Sequence, residues 1–273
     1  MGFFKKAIPA LSLEILMMNR LLKIKQIRSR LKSKLPSIGS WMQIPDASVA
    51  EIMGSADFDW VAVDMEHGAI SHHQLPNIFR ALELGNTLPL ARIAEGNPRD
   101  CKQALDAGAG GIIVPMVEDA NELVALRDAC RWPPTGTRGV AFARANLFGK
   151  NFDSYIEEAQ SPLLIAMIEH TRALENIEKI LSVEGLDAIL IGPYDLSASM
   201  GLTGDFEHPD VVSALSQILS SAKELGVAAG IHVVAPSMIE INARIEQGYH
   251  FLPYSIDTVI LRQGIENTIG GGI

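Results

Sequence analysis

A chain of 273 residues with 48% hydrophobic content is long enough for one large core, the size at which α/β barrels commonly stay undivided. Its net charge of −9 is unevenly placed: positions 1–34 hold nine Lys or Arg against Glu14 alone, a net +8, which leaves −17 on the rest. So acidic a body repels phosphate backbones and excludes nucleic acid as its partner. In chain order, the first segment, positions 1–35, is basic and ends in an amphipathic helix. Lys5 and Lys6 precede the apolar run AIPALSLEILMM, but Pro9 and Glu14 interrupt it and no small-residue cleavage site follows. It is too short to span a bilayer, so neither a signal peptide nor a membrane anchor is expected. Met17 or Met18 is an alternative translation start. From Leu21, the residues Leu21, Ile24, Ile27, Leu31 and Leu35 recur at helical spacing, which predicts a helix laid across the bottom of the following domain.

From position 36 to 273 apolar runs alternate with helical patterns. SIGSWMQI, WVAVDME, LPLARIA, GIIVPMV, LLIAMIE, AILIGP, AAGIHVV and HFLPYS read as strands. Helical patterns such as DASVAEIMGSA, QLPNIFRALELG, PRDCKQALDAG, DANELVALRDAC, TRALENIEKILSV, DVVSALSQILSSAKELG and SMIEINARIEQG separate them, several closing on Gly. Eight strands with helices between them predict an α/β fold, a (β/α)8 TIM barrel with an N-terminal helix, and no linker or repeat divides it. Cys101 and Cys130 fall inside these helices without CxxC or zinc-like spacing, as two buried thiols of a reducing cytoplasm would. The longest irregular stretch, WPPTGTRGVAFARANLFGKNF, follows the fourth strand and its helix; loops of that length usually serve function or an interface.

Barrel enzymes place their chemistry where strands end. Strand two ends in Asp64, Glu66 and His67, strand three in Arg92, strand five in Glu169 and His170, strand six in Asp195 after Gly192 and Pro193, and strand seven in His232. Singly, each has a plain structural role open to it, as a helix cap, a barrel ion pair or a satisfied core histidine; their convergence on one face points to a site. Glu169 and Asp195 offer oxygen ligands suited to Mg²⁺, Mn²⁺ or Co²⁺ in an open shell. Arg92 is placed to hold an anionic group or developing negative charge. His67 suits proton transfer, with Asp64 or another carboxylate orienting it. Together these suit enolate formation beside a carboxylate. After Lys34 the lysines are Lys102, Lys150, Lys179 and Lys223, none on a strand, which excludes imine aldolase and pyridoxal phosphate chemistry. No GxSxG elbow occurs, and GAGGI at 108–112 lacks a dinucleotide fingerprint.

The segments GSWMQIPD (39–46), FDWVAVDMEHG (58–68), LARIAE with its strand-three arginine, LDAGAGGIIVPMV (105–117), RGVAFARA (138–145), the strand ending in Glu169, and IGPYDLSASMG (191–201) resemble the HpcH/HpaI aldolases, metal-dependent class II pyruvate aldolases. The resemblance runs from about 21 to 266. It implies that Glu169 and Asp195 are the metal ligands and that Arg92 binds the pyruvate oxygen. It makes His67 the acid/base histidine with Asp64 beside it, and Asp106 a residue lent by a neighbouring subunit. It further implies a pyruvate carboxylate clamp at Gly192, Pro193 and Tyr194, and Trp41 near the aldehyde side. The implied reaction joins or splits pyruvate and an aldehyde, as in 4-hydroxy-2-oxoheptanedioate or 2-keto-3-deoxy sugar acid aldolases. The implied assembly is a hexamer that exchanges its last helix. Many members carry Gln where Met167 stands, two residues before Glu169; Met167, His232 and Tyr194 bear on the pocket more than on the reaction class. Arg138 or Arg144 in the long loop is a candidate contact for a semialdehyde carboxylate. Citrate-lyase β-like acyl-CoA lyases share the barrel and the carboxylate pair, a phosphoenolpyruvate-mutase-like enzyme lacks its loop motif, and a non-catalytic oligomeric binding protein is the third rival.

Overall fold

Eight short apolar runs separated by helices leave few ways to bury both faces of a parallel sheet, and closure into a barrel is the one adopted. The computed structural model describes residues 18–270; the basic run at positions 5–6, the targeting question and the Met17 start lie outside them. Strands β1 (Ser37–Met42), β2 (Trp60–Asp64), β3 (Leu88–Arg92), β4 (Gly111–Val114), β5 (Leu163–Ile168), β6 (Ala188–Ile191), β7 (Ala228–Ile231) and β8 (Phe251–Ile256) pair in order, and β8 closes on β1. Around them run α1 (Arg20–Lys32), α2 (Ala47–Gly54), α3 (Leu75–Leu84), α4 (Pro98–Ala107), α5 (Ala120–Cys130), α6 (Phe152–Gln160), α7 (Thr171–Glu175), α8 (Ile177–Leu181), α9 (Pro193–Ser199), α10 (Pro209–Leu225), α11 (Met238–Gln247) and α12 (Asp257–Gly270). No helix among the described residues is long and apolar enough to cross a membrane.

Alternation along each strand divides the apolar residues between two cores. On β2, Val61 and Val63 join the layer under the helices, whereas Trp60 and Ala62 fill the barrel interior. The Trp60 indole stacks on Phe251 at 4.2 Å and fills the space beside Gly39, where a Cβ would lie 2.2 Å from the ring. The helix α1 seals the lower end: Ile24, Ile27 and Leu31 enter the interior core, while Leu35 of the expected stripe is exposed. Asp46, Asn97, Asp119 and Ser237 cap α2, α4, α5 and α11 with their side chains. Both cysteines are buried and free; the hydrogen bond to Cys101, with burial, pushes the Cys130 thiol well up.

One local reading needs correction. The helix expected over TRALENIEKILSV is two, α7 and α8, broken at Asn176, whose amide donates to the Glu118 and Arg172 carbonyls. The long irregular stretch ends in α6, and the chain reaches it from the lower end of α5. It therefore lies at the floor of the barrel, opposite the carboxyl ends of the strands.

Candidate active site

Two strands lie side by side with Asp64 in register with Arg92, so the carboxylate and guanidinium meet at the same height. Arg92 donates from Nε to Asp64 Oδ1 at 2.9 Å, from Nη2 to Asp64 Oδ2 at 2.7 Å, and from Nη1 to Glu66. This fork occupies three of its five N–H groups and leaves one on each terminal nitrogen. Asp64 also accepts from Trp41 Nε1 at 3.1 Å, Gln43 Nε2 at 2.9 Å, and the backbone N–H groups of Glu66 and His67 at 3.0 and 3.1 Å. Burial alone would raise the Asp64 carboxyl; Arg92, Gln43 and the His67 N–H outweigh it and hold it at about 2. The expectation that Asp64 orients the His67 imidazole is corrected here. Asp64 grips the His67 backbone and anchors Arg92, while the His67 side chain stands exposed at the rim.

Glu169, 4% exposed, follows β5, and its Oε2 accepts from the Met116 N–H at 3.1 Å. No lysine or arginine pairs with it or with Asp195 among the described residues, and burial with the Asp195 and Glu66 charges pushes its carboxyl up to about 7. Gly192 makes the room it occupies, since a Cβ there would lie 2.3 Å from Glu169 Oε1. Asp195 sits in the first turn of α9. Glu169 is buried whereas Asp195 is exposed at the mouth; a buried carboxylate without a countercharge is costly, and a hard divalent cation with oxygen ligands is the group this donor set fits. Among the described residues no group of three or more His, Cys, Asp or Glu gathers at ligand spacing, so the two carboxylates would be the protein's share of an open shell.

A cavity of about 700 Å³ opens over these groups and is lined by Glu169, Asp195, Gly192, Pro193, Tyr194, Met167 and His232, continuing outward between α10 and α11. Of the proposed clamp, Gly192 N–H already donates to Ile168 O at 3.3 Å and Pro193 has no N–H, so the free donors are those of Tyr194 and Asp195 in the first helical turn. The Tyr194 ring is exposed and meets Phe206 edge-on at 4.8 Å. Trp41 is buried behind the cavity wall, 5.2 Å from the His232 ring and 5.3 Å from Arg92 Cζ.

Four of the expected site residues fall elsewhere. His170 caps α7, accepting from Arg172 N–H at 3.1 Å. Asp106 lies in the last turn of α4, 3.8 Å from Arg138 Nη1, at the floor and out of reach of its own chain's site. Arg138 and Arg144 share that floor, the latter paired with Glu83, so neither serves this chain's cavity. Sequence reasoning missed Gln43, which the strand-end rule finds once β1 is included, and Asp257, whose carboxylate accepts from the Gln43 and Ile44 N–H groups at 2.9 Å and fixes the end of β1.

Fold and site define a TIM-barrel enzyme with its charged groups on the ends of β2, β3, β5 and β6. The chain belongs to the HpcH/HpaI aldolase/citrate lyase family, whose pattern matches residues 37–263, and is an enzyme of the carbon–carbon lyase class. It is 38% identical over 227 residues to the hydroxypyruvate/pyruvate aldolase of Roseobacter denitrificans, covering 82% of this chain and 87% of that one. The 4-hydroxy-2-oxo-heptane-1,7-dioate aldolase of Escherichia coli is 34% identical over 242 residues, 88% of this chain and 91% of that one. A solved HpcH/HpaI aldolase/citrate lyase family structure from Burkholderia cenocepacia matches with a TM-score of 0.84 at 31% identity, over 90% of this chain and 98% of its own.

Proposed function

We propose that this chain is a divalent-metal-dependent class II pyruvate aldolase that cleaves or forms 4-hydroxy-2-oxo acids through a pyruvate enolate. The observation that carries this is the pair of carboxylates without a countercharge, Glu169 and Asp195, opening on a cavity beside the Arg92 fork. Glu169 and Asp195 would hold Mg²⁺, Mn²⁺ or Co²⁺, which when bound supplies Lewis acidity toward 2-oxo acid oxygens. Arg92, fixed by Asp64 and Glu66, turns its remaining N–H groups to the 2-oxo oxygen as negative charge develops there. The Tyr194 and Asp195 N–H groups receive the substrate carboxylate. His67 takes the 4-hydroxyl proton as the C3–C4 bond breaks; the aldehyde leaves, and a proton returned to C3 gives pyruvate. Trp41 backs the aldehyde side through His232. The names of the two relatives support the 2-oxo acid class.

Asp106 completes a site only in another copy, which requires at least a dimer. The exposed Ile260, Leu261, Ile265 and Ile269 of α12 supply an apolar face that a homohexamer exchanging its last helix would cover. Free, buried thiols suit a cytoplasmic location. The test is the pyruvate methyl signal in D₂O, followed by proton NMR on metal-stripped protein before and after Mg²⁺ is added. Metal-dependent loss of the signal, abolished in Arg92→Ala, is expected. Absence of exchange despite demonstrated metal binding would overturn the pyruvate reading and make CoA thioesters the next substrates.

A further inference from the structure

The inner wall of the barrel gives the cavity Met167, Leu190, Glu169 and His232, and of these four His232 alone is polar and uncharged; Tyr194, Ser216, Gln247 and Tyr249 also line the cavity. The ring is held from two sides. Trp41 packs at 5.2 Å with the planes 40° apart, and Nε2 lies 3.0 Å from the Ser255 carbonyl oxygen. A carbonyl has no proton to give, so Nε2 carries the hydrogen and Nδ1 of the neutral ring is left as a bare acceptor. Burial, which outweighs the Ser255 bond and is aided by the Arg92 charge, pushes the imidazole down to about 4 and keeps it neutral. Nδ1 has no partner among the described residues and is not one of their enclosed, unpaired atoms, which leaves it open to the cavity that the ring lines.

Resting on the aldolase reading, we infer that His232 sets the aldehyde specificity: its Nδ1 accepts a hydrogen bond from a hydroxyl on the aldehyde partner, favouring hydroxyaldehydes over alkyl aldehydes and over semialdehydes with a terminal carboxylate. The cavity's charge agrees with the second preference. Glu207 and Glu240 line its outer part, and its basic side chain, Arg244, is paired with Glu240 at 3.1 Å. An anionic tail therefore meets carboxylates and a neutralised arginine, whereas a hydroxyl meets a fixed acceptor. Met167, the apolar neighbour on β5, cannot replace that acceptor, so at the inner wall beside Glu169 the hydroxyl is received by His232.

The experiment measures kcat/KM for the Mg²⁺-loaded protein in the addition of pyruvate to lactaldehyde, propanal and succinic semialdehyde. The first two differ by one hydroxyl, and comparing their ratio between variants cancels their intrinsic reactivities. Wild type is expected to favour lactaldehyde. His232→Leu should lower the lactaldehyde-to-propanal ratio about tenfold, and His232→Gln, with an amide oxygen in place of Nδ1, should restore part of it. Pyruvate methyl exchange should be unchanged in both variants, which shows the site to be folded. An unchanged ratio in His232→Leu with exchange intact overturns the inference, as does loss of exchange in that variant, since the residue then serves the pyruvate half or the fold. Preference for succinic semialdehyde in wild type overturns it too. Failure of wild type to exchange at all sinks the aldolase reading itself, and the specificity inference with it.

Discussion

At the floor of the barrel, Arg20, Arg28 and Arg144 each meet a carboxylate: Arg20 with Glu158 at 2.7 Å and Glu83 at 3.2 Å, Arg28 with Asp187 at 2.6 Å, Arg144 with Glu83. At the mouth, Arg92 is tied to Asp64 and Glu66, but Glu169 and Asp195 have no cation among the described residues. These three floor arginines are matched within the chain and serve cohesion between α1, α3, α6 and the strand starts, whereas Arg138, 3.8 Å from Asp106, leaves Nε and Nη1 without hydrogen-bond partners among the described residues. Charge at the mouth is left over: the buried Glu169 carboxyl is relieved by a proton, as its rise to about 7 allows, or by a bound cation. The contrast separates residues whose loss should be felt in stability from those whose loss should be felt in turnover.

The largest effects should come from removing the surplus. Glu169→Gln is expected to abolish calorimetric binding of Mn²⁺ and to slow metal-dependent pyruvate exchange by about a thousandfold. The same change should leave the metal-free protein as stable as wild type or more so, because a desolvated charge beside like charges is gone. Gly192→Ala should also weaken Mn²⁺ binding and slow exchange, by pushing its Cβ into the Glu169 carboxylate. Unaltered metal affinity in both variants would place the cation elsewhere. One step smaller, Asp64→Asn frees the Arg92 fork: a loss of about 10²-fold in exchange and about 3 kcal/mol in urea unfolding are expected together. If only stability falls, Asp64 is a core ion pair and not the anchor of a working arginine.

The floor should answer differently. Arg28→Ala strands the Asp187 carboxylate, which bridges to the Leu164 N–H at 3.0 Å and is 5% exposed. A cost of about 2–3 kcal/mol in unfolding free energy, with exchange per folded molecule unchanged, is the expected result. Equal losses in exchange and stability would erase the distinction between the two ends.

Apolar runs and helical patterns marked the eight strands and nine of the described helices in the sequence, α7 and α8 as one, because burial on both faces of a parallel barrel leaves few polar positions within a strand. The strand-end rule then collected Asp64, Arg92, Glu169, Asp195 and His232 into one region. What it could not supply was partnership. Asp64 stands three residues from His67 and twenty-eight from Arg92 in sequence, and only the β2–β3 register brings the guanidinium opposite it. The location of the long loop was legible by parity, since a segment after a helix returns to the strand starts, which puts Arg138 and Arg144 at the floor and not in this chain's cavity. His170 illustrates the remaining gap: a polar residue after a strand serves as a cap or as site chemistry depending on which way one backbone N–H points.

The smallest effect tests the anchor by acid. Held at about 2 against the ordinary 3.8, the Asp64 carboxyl binds protons less readily folded than unfolded. Its contribution to stability is therefore fully present above about pH 4 and is lost as pH falls toward 2, to a total of roughly 2 kcal/mol, about half of it by pH 3. Urea unfolding of wild type and Asp64→Asn at pH 7, 5 and 3 isolates this share, because Asn cannot titrate. The difference between the two proteins should be constant from pH 7 to 5 and shrink by about 1 kcal/mol at pH 3. A difference that stays constant to pH 3 would mean that the bonds to Asp64 act as neutral contacts, and that Arg92 is held at the mouth by Glu66 instead.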